Sequence, residues 1–164
     1  MQKELGSQEQ LKQLGILYLG LISGQLLIFI LLFFFAKENF VPAIDGAEGD
    51  SSMAIIIAFC CLMAIGTSFF IFNKRKELGR QLEGSLSEKL THYRLSFLTR
   101  AAMIEGANLL ALFSYFFMES NYVFLALFVI GISAFFYIRP TADRIAEDYQ
   151  LSSTEQSELR NALK

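Results

Sequence analysis

Leu26–Phe35 reads LLIFILLFFF and Ala54–Ile65 reads AIIIAFCCLMAI, and neither stretch has a polar face. A helix on the surface of a soluble bundle keeps a polar stripe for water, so helices apolar all round belong in a lipid bilayer or a large core. Around the first stretch, Leu14–Ala36 holds 23 residues without a charge; around the second, Ser52–Phe72 holds 21. About 20 apolar residues, each rising about 1.5 Å, cross about 30 Å of hydrocarbon. Leu95–Phe117 is again 23 residues long but carries Arg100 and Glu105, and Tyr122–Ile138 is charge-free over 17. The pattern predicts an all-α integral membrane four-helix bundle with spans at about 14–36, 52–72, 95–117 and 122–138, followed by a cytoplasmic helical tail over 139–164. Matches at a shift of 82, Gly24 with Gly106 and Phe34-Phe35 with Phe116-Phe117 among them, fit two tandem helical hairpins.

Composition agrees. Hydrophobic residues make up 54% of the 164 and charged ones 18%, where a soluble domain has about a quarter charged. This excludes a disordered tail, a secreted disulfide scaffold and a nucleic-acid binder, and leaves the lipid bilayer as the first partner. The first apolar stretch ends in Phe33-Phe34-Phe35-Ala36-Lys37 without a small-x-small cleavage site, so it is read as a retained span.

Lys and Arg set the orientation. Met1–Gln13 has two, Asn73–Arg94 has six and the segment after Ile138 has four, whereas Lys37 stands alone on the other side. Four spans put both termini and the middle connection on one side, so span count and charge agree on cytoplasmic termini in a cell (plasma or inner) membrane. The acidic residues of the outer loop, Glu38, Asp45, Glu48 and Asp50, are read as a consequence of topology rather than as a cation trap.

Outside the spans, Ser85-Leu86-Ser87-Glu88 and Ser152-Ser153-Thr154-Glu155 are capping-box patterns. The second helix is expected to run to about Gly79, break, and restart at Leu86. Leu78, Leu82, Leu86 and Leu90, four apart, are read as covering helix ends or lying at the lipid surface. Arg139-Pro140-Thr141 ends the fourth span, and Ala142, Ile145 and Tyr149 share one face beyond it.

No phosphate-binding loop, nucleophile elbow or His-Glu-x-x-His pattern occurs in the sequence, so neither an enzyme nor a cofactor is expected. His92 is read as an interfacial residue, and the adjacent Cys60-Cys61 as small hydrophobes within a span. Arg100 lies about 7.5 Å inside its span, within reach of the cytoplasmic surface by snorkelling. Glu105 lies about 15 Å inside. A carboxyl there has to be protonated, hydrogen-bonded or turned to a wet cavity. Asn108, one turn on, with Ser23, Gln25 and Ser133 from other spans, can supply partners, and Arg100 a supporting charge. Gly20-x-x-x-Gly24 and Ala102-x-x-x-Gly106 offer small-residue seams for helix packing. Two readings stand at this point: a structural or accessory membrane component clamped at Glu105, associating with itself or other membrane proteins, or a site for a proton or monovalent cation.

Arg80-Gln81-Leu82-Glu83, followed by Ile104-Glu105-Gly106-Ala107, resembles the proteolipid (c-type) subunits of rotary ATPases over residues 52–117. Those subunits have a cytoplasmic Arg-Gln-Pro loop and an ion-binding carboxylate midway along the next helix. The resemblance implies that Arg80-Gln81 match the loop and Glu105 the carboxylate. Leu82 stands where Pro is usual, and the second span lacks a glycine-rich packing face. Small multidrug transporters share four helices and one buried Glu, though theirs is in the first helix. Otherwise the chain resembles small uncharacterised four-helix membrane proteins.

Overall fold

The computed structural model describes residues 7–39, 51–117 and 122–161. They form α1 (Ser7–Asn39), α2 (Ser51–Arg80), α3 (Leu86–Phe117), α4 (Tyr122–Tyr137), α5 (Ala142–Tyr149) and α6 (Ser153–Asn161). No strand occurs among the described residues. A helix satisfies its own backbone N–H and C=O groups, which is what a segment without water requires.

Three stretches are long and apolar enough to cross a membrane: Glu9–Phe34, Ser52–Arg80 and Leu86–Phe117. α4 has 16 residues and meets the length requirement only when counted with α5 across the break at Pro140. The all-α expectation is therefore met with three candidate spans, or four if that broken pair counts as one. Most of the acidic outer loop lies outside the described residues.

The break between the second and third helices falls where local chemistry puts it, with α2 ending at Arg80 and α3 opening at Leu86. The Glu88 backbone amide donates to Ser85 Oγ at 3.4 Å, and the Ser85 amide donates to Glu88 Oε2 at 3.1 Å. The same reciprocal pair opens α6, with the Ser152 amide to Glu155 Oε2 at 2.8 Å and the Glu155 amide to Ser152 Oγ at 3.3 Å. Each box satisfies amides that a helix start leaves without intrahelical partners. α5 is capped at its start by Thr141 Oγ1, which accepts from the Arg144 amide at 3.3 Å. It ends at Gln150, whose φ of 49° is left-handed.

The chain divides into two compact units. One comprises Met1–Gly20, Phe69–Arg100 and Arg139–Lys164; the other comprises Leu21–Ser68 and Ala101–Ile138. Arg139–Lys164 is thus grouped with parts of three longer helices. In the first unit α5 and α6 bury Ile145, Tyr149 and Leu159. Lys76 pairs with Asp148 at 3.2 Å, and Lys89 with Glu155 at 2.7 Å. Of the leucines spaced by four, Leu86 and Leu90 are buried while Leu78 and Leu82 are exposed. The second unit has a core of Cys61, Ala107, Ala111, Leu112, Phe124, Leu127 and Phe128. Phe29 stacks on Phe128 there at 5.4 Å between ring centres.

Candidate functional site

The polar centre of the second unit is an amide pair. Asn108 of α3 and Gln25 of α1 are 1% and 0% exposed, and Asn108 Nδ2 donates to Gln25 Oε1 at 2.7 Å. An amide carries donor and acceptor without net charge, so it can be buried for the cost of its hydrogen bonds rather than of an ion. Only one bond joins the two groups: Gln25 Nε2 and Asn108 Oδ1 are buried without a hydrogen-bond partner. Gly131 of α4 lies against the same carboxamide, so closely that a β-carbon at this position would overlap it. Three helices therefore meet at Asn108. Next to it, Cys61 Sγ of α2 donates to the Ala107 carbonyl at 3.5 Å. This is a weak bond, yet it brings α2 to the same level of α3.

Glu105 is half-buried, one turn before Asn108. No described residue shares a hydrogen bond or ion pair with it. Three residues turn a helix by about 300°, so Glu105 sits about 60° around the axis from Asn108, at the edge of the buried face. The sequence put Glu105 at the centre of a clamp; the bond observed here joins Asn108 and Gln25, and Glu105 has no part in it.

The remaining candidates are dispersed. Ser23 is exposed, and Ser133 Oγ donates to the Val129 carbonyl of its own helix at 2.8 Å, so neither reaches the amide pair. The expected packing seams are not places of close approach: a β-carbon added to Gly20, Gly24 or Gly106 would meet nothing within 4 Å, and Ala102 is exposed. The physical reason is rotation, since Gly20, Ala102 and Gly106 are exposed on their own helices. Gly131 is a close-approach glycine of this unit that the sequence did not single out for packing.

Arg100, in the first unit, does not escape to water as its long side chain suggested. It is 7% exposed, with its guanidinium 4.0 Å from the Phe69 ring centre and 4.6 Å from that of Phe72. Aromatic faces attract a cation and shield it from lipid.

A second cluster in that unit surrounds Tyr149. Its Oη and His92 Nδ1 share a hydrogen bond of 2.6 Å, and its ring meets Tyr93 edge-on at 5.5 Å. Gly79 makes room for it, since a β-carbon there would overlap the tyrosine ring. Burial pushes the Tyr149 hydroxyl up to about 12. Arg80 Nε donates to the Asp148 carbonyl at 2.9 Å, so Asp148 is held through both backbone and side chain. His92, read as interfacial, is part of the packing of α5. Among the described residues, no three of His, Cys, Asp and Glu gather closely enough to hold a metal ion.

No protein family, curated protein or solved structure matches the chain.

Proposed function

We propose that the chain is a multi-pass protein of the cell (plasma or inner) membrane, with four spans and both termini in the cytoplasm, acting as a structural or accessory component and not as an enzyme. The observation that carries this reading is the Gln25–Asn108 bond. A neutral amide pair with no water-exposed surface ties helices together, but has no titratable proton to pass on. The Lys and Arg bias of the termini and the 73–94 connection supports the orientation. Cysteine accessibility in sealed cells tests it, and a terminus labelled from outside overturns it. Reconstitution tests the role. Wild-type protein in vesicles should pass neither protons nor monovalent cations, and Gln25→Leu or Asn108→Leu should loosen the fold. A flux that Glu105→Gln abolishes overturns the structural reading.

One observation favours the second reading, a proton- or cation-translocating protein or proteolipid-like subunit. Glu105 stands half-buried in a helix long enough to span, with no described residue bonded to it. A carboxyl so placed is free to exchange a proton or meet a cation. Selective labelling of Glu105 by a hydrophobic carbodiimide, together with the flux above, supports this reading. Labelling without flux, with natural membrane partners present, rejects it.

A further inference from the structure

α4 is shorter than the other apolar helices, and its ends carry the side chains that mark a membrane surface. Tyr122 at its start is 77% exposed and Tyr137 at its end is 61% exposed. Between them Val123, Val129, Ile130 and Phe136 are exposed too, with Ser133 among them donating its hydroxyl to the Val129 carbonyl, so one largely apolar face runs the length of the helix. Tyrosine rings settle at the headgroup level on both sides of a bilayer. Fifteen helical steps separate these two, about 23 Å, against about 30 Å of hydrocarbon in a typical membrane. In sequence the limits are firm, with Glu119-Ser120-Asn121 before Tyr122 and Arg139 after Ile138. The charge-free Ser52–Phe72 stretch of α2 gives the contrast: its 20 helical steps cover about 30 Å and need no adjustment from the lipid.

We propose that α4 is a short span whose exposed face gathers short-chain lipids and thins the bilayer beside it, while α2 lies against bilayer of ordinary thickness. The shortfall at α4 is about 7 Å for an upright helix, and any tilt enlarges it. A short helix with tyrosines at both ends resists sliding in either direction, so the lipid has to adapt. The inference rests on the four-span reading of the preceding section.

The sequence has no Trp, so a single reporter can be read without background. Val129→Trp places one on the exposed face of α4, and Phe59→Trp places one on an exposed position of α2. Each variant, as the full chain in phosphatidylcholine vesicles, is titrated with brominated lipids of 14-carbon and 22-carbon chains, which quench Trp on contact. The expected result is a preference for the short chain at position 129 about two- to threefold greater than at position 59. Equal preferences at the two positions, or a long-chain preference at 129, overturn the proposal and leave the four-span reading intact. Quenching at 59 with none at 129 shows that α4 does not face lipid, and overturns both. Should Val129→Trp fail to insert, Val123→Trp reads the same face and decides in the same way.

Discussion

Gly131→Ala adds one methyl group at the point where α4 lies against Asn108, and there the packing leaves no room for it. The Asn108 carboxamide has to give way. Its movement threatens the 2.7 Å bond to Gln25, in a core where the other polar atom of each carboxamide, Gln25 Nε2 and Asn108 Oδ1, already has no partner. Overfilling a packed site costs about 1–3 kcal/mol. A hydrogen bond between membrane helices adds about 0.6 kcal/mol, and up to about 1.7. Against these stands the gain from replacing a helical glycine by alanine, about 1 kcal/mol. The helix gain can be measured separately at Gly66 of α2, where an added β-carbon meets nothing within 4 Å. Gly66→Ala should therefore be neutral or stabilising by up to about 1 kcal/mol, and Gly131→Ala should lie about 1–3 kcal/mol below it. Reversible unfolding in mixed detergent micelles, followed by far-UV circular dichroism, compares the two. Asn108→Ala removes the obstructing group, so in that background Gly131→Ala should lose most of its cost. Equal stability of Gly131→Ala and Gly66→Ala, or additive effects in the double variant, would refute the close approach of α4 to Asn108.

Other consequences concern the packing of α5 and α6. The bond from Lys89 holds the Glu155 carboxyl below the usual carboxylate range. A depressed carboxylate stabilises the fold above its unfolded pKa and loses that contribution as pH falls through the folded value. Protection factors of the α6 amides, with intrinsic rates divided out, should therefore fall in acid, and Glu155→Gln should remove the step. For Tyr149 the sign is opposite. Its hydroxyl is pushed up to about 12 by burial, so its contribution is complete below its unfolded pKa, about 10, and is lost as pH rises through about 12. Tyr149→Phe should shrink this alkaline loosening, followed by far-UV circular dichroism and leaving the share of the neighbouring buried Tyr93, while costing about 1 kcal/mol for the His92 bond. Gln150, exposed and at φ 49°, should be better served by glycine. Gln150→Gly is expected to stabilise α5 by about 0.5–1 kcal/mol, and a lower unfolding midpoint would contradict the left-handed cap.

The apolar stretches, the α2–α3 break and both capping boxes could be read from the sequence because local rules govern them. A run such as AIIIAFCCLMAI has no polar face whatever surrounds it, and Ser85 with Glu88 can close their box within four residues. Contacts across helices were not legible, because one residue of rotation turns a side chain by about 100°. Gln25 and Asn108 are 83 positions apart, and both were recognised as polar residues in apolar helices. Their pairing, and the exclusion of Ser23 and Ser133 from it, depends on helix rotation. Arg100 shows the same limit. Its depth suggested snorkelling, but Phe69 and Phe72 from α2 offer a nearer shelter. The apolar face of α5 was visible as Ala142, Ile145 and Tyr149, whereas its seat beside Gly79 and His92 required the neighbouring helices to be in place.

Asn108 and Glu105 show how one turn of helix can separate adhesion from chemistry. Burying a carboxylate without a partner is far costlier than burying an amide that keeps one hydrogen bond. The residue turned toward Gln25 and Gly131 is accordingly the amide, and the carboxyl stands about 60° away at the edge of the buried face. The two roles can therefore be tested independently. Asn108→Leu should loosen α1 from α3 while leaving the Glu105 carboxyl reactive toward carbodiimide. Glu105→Gln should abolish that reactivity and leave the unfolding midpoint within about 0.5 kcal/mol of wild type, as for a side chain outside any packed network. A large loss of stability in Glu105→Gln would place the carboxyl inside the clamp after all. A loss of labelling in a correctly inserted Asn108→Leu would mean that the amide sets the reactivity of its neighbour, and that adhesion and chemistry share one site.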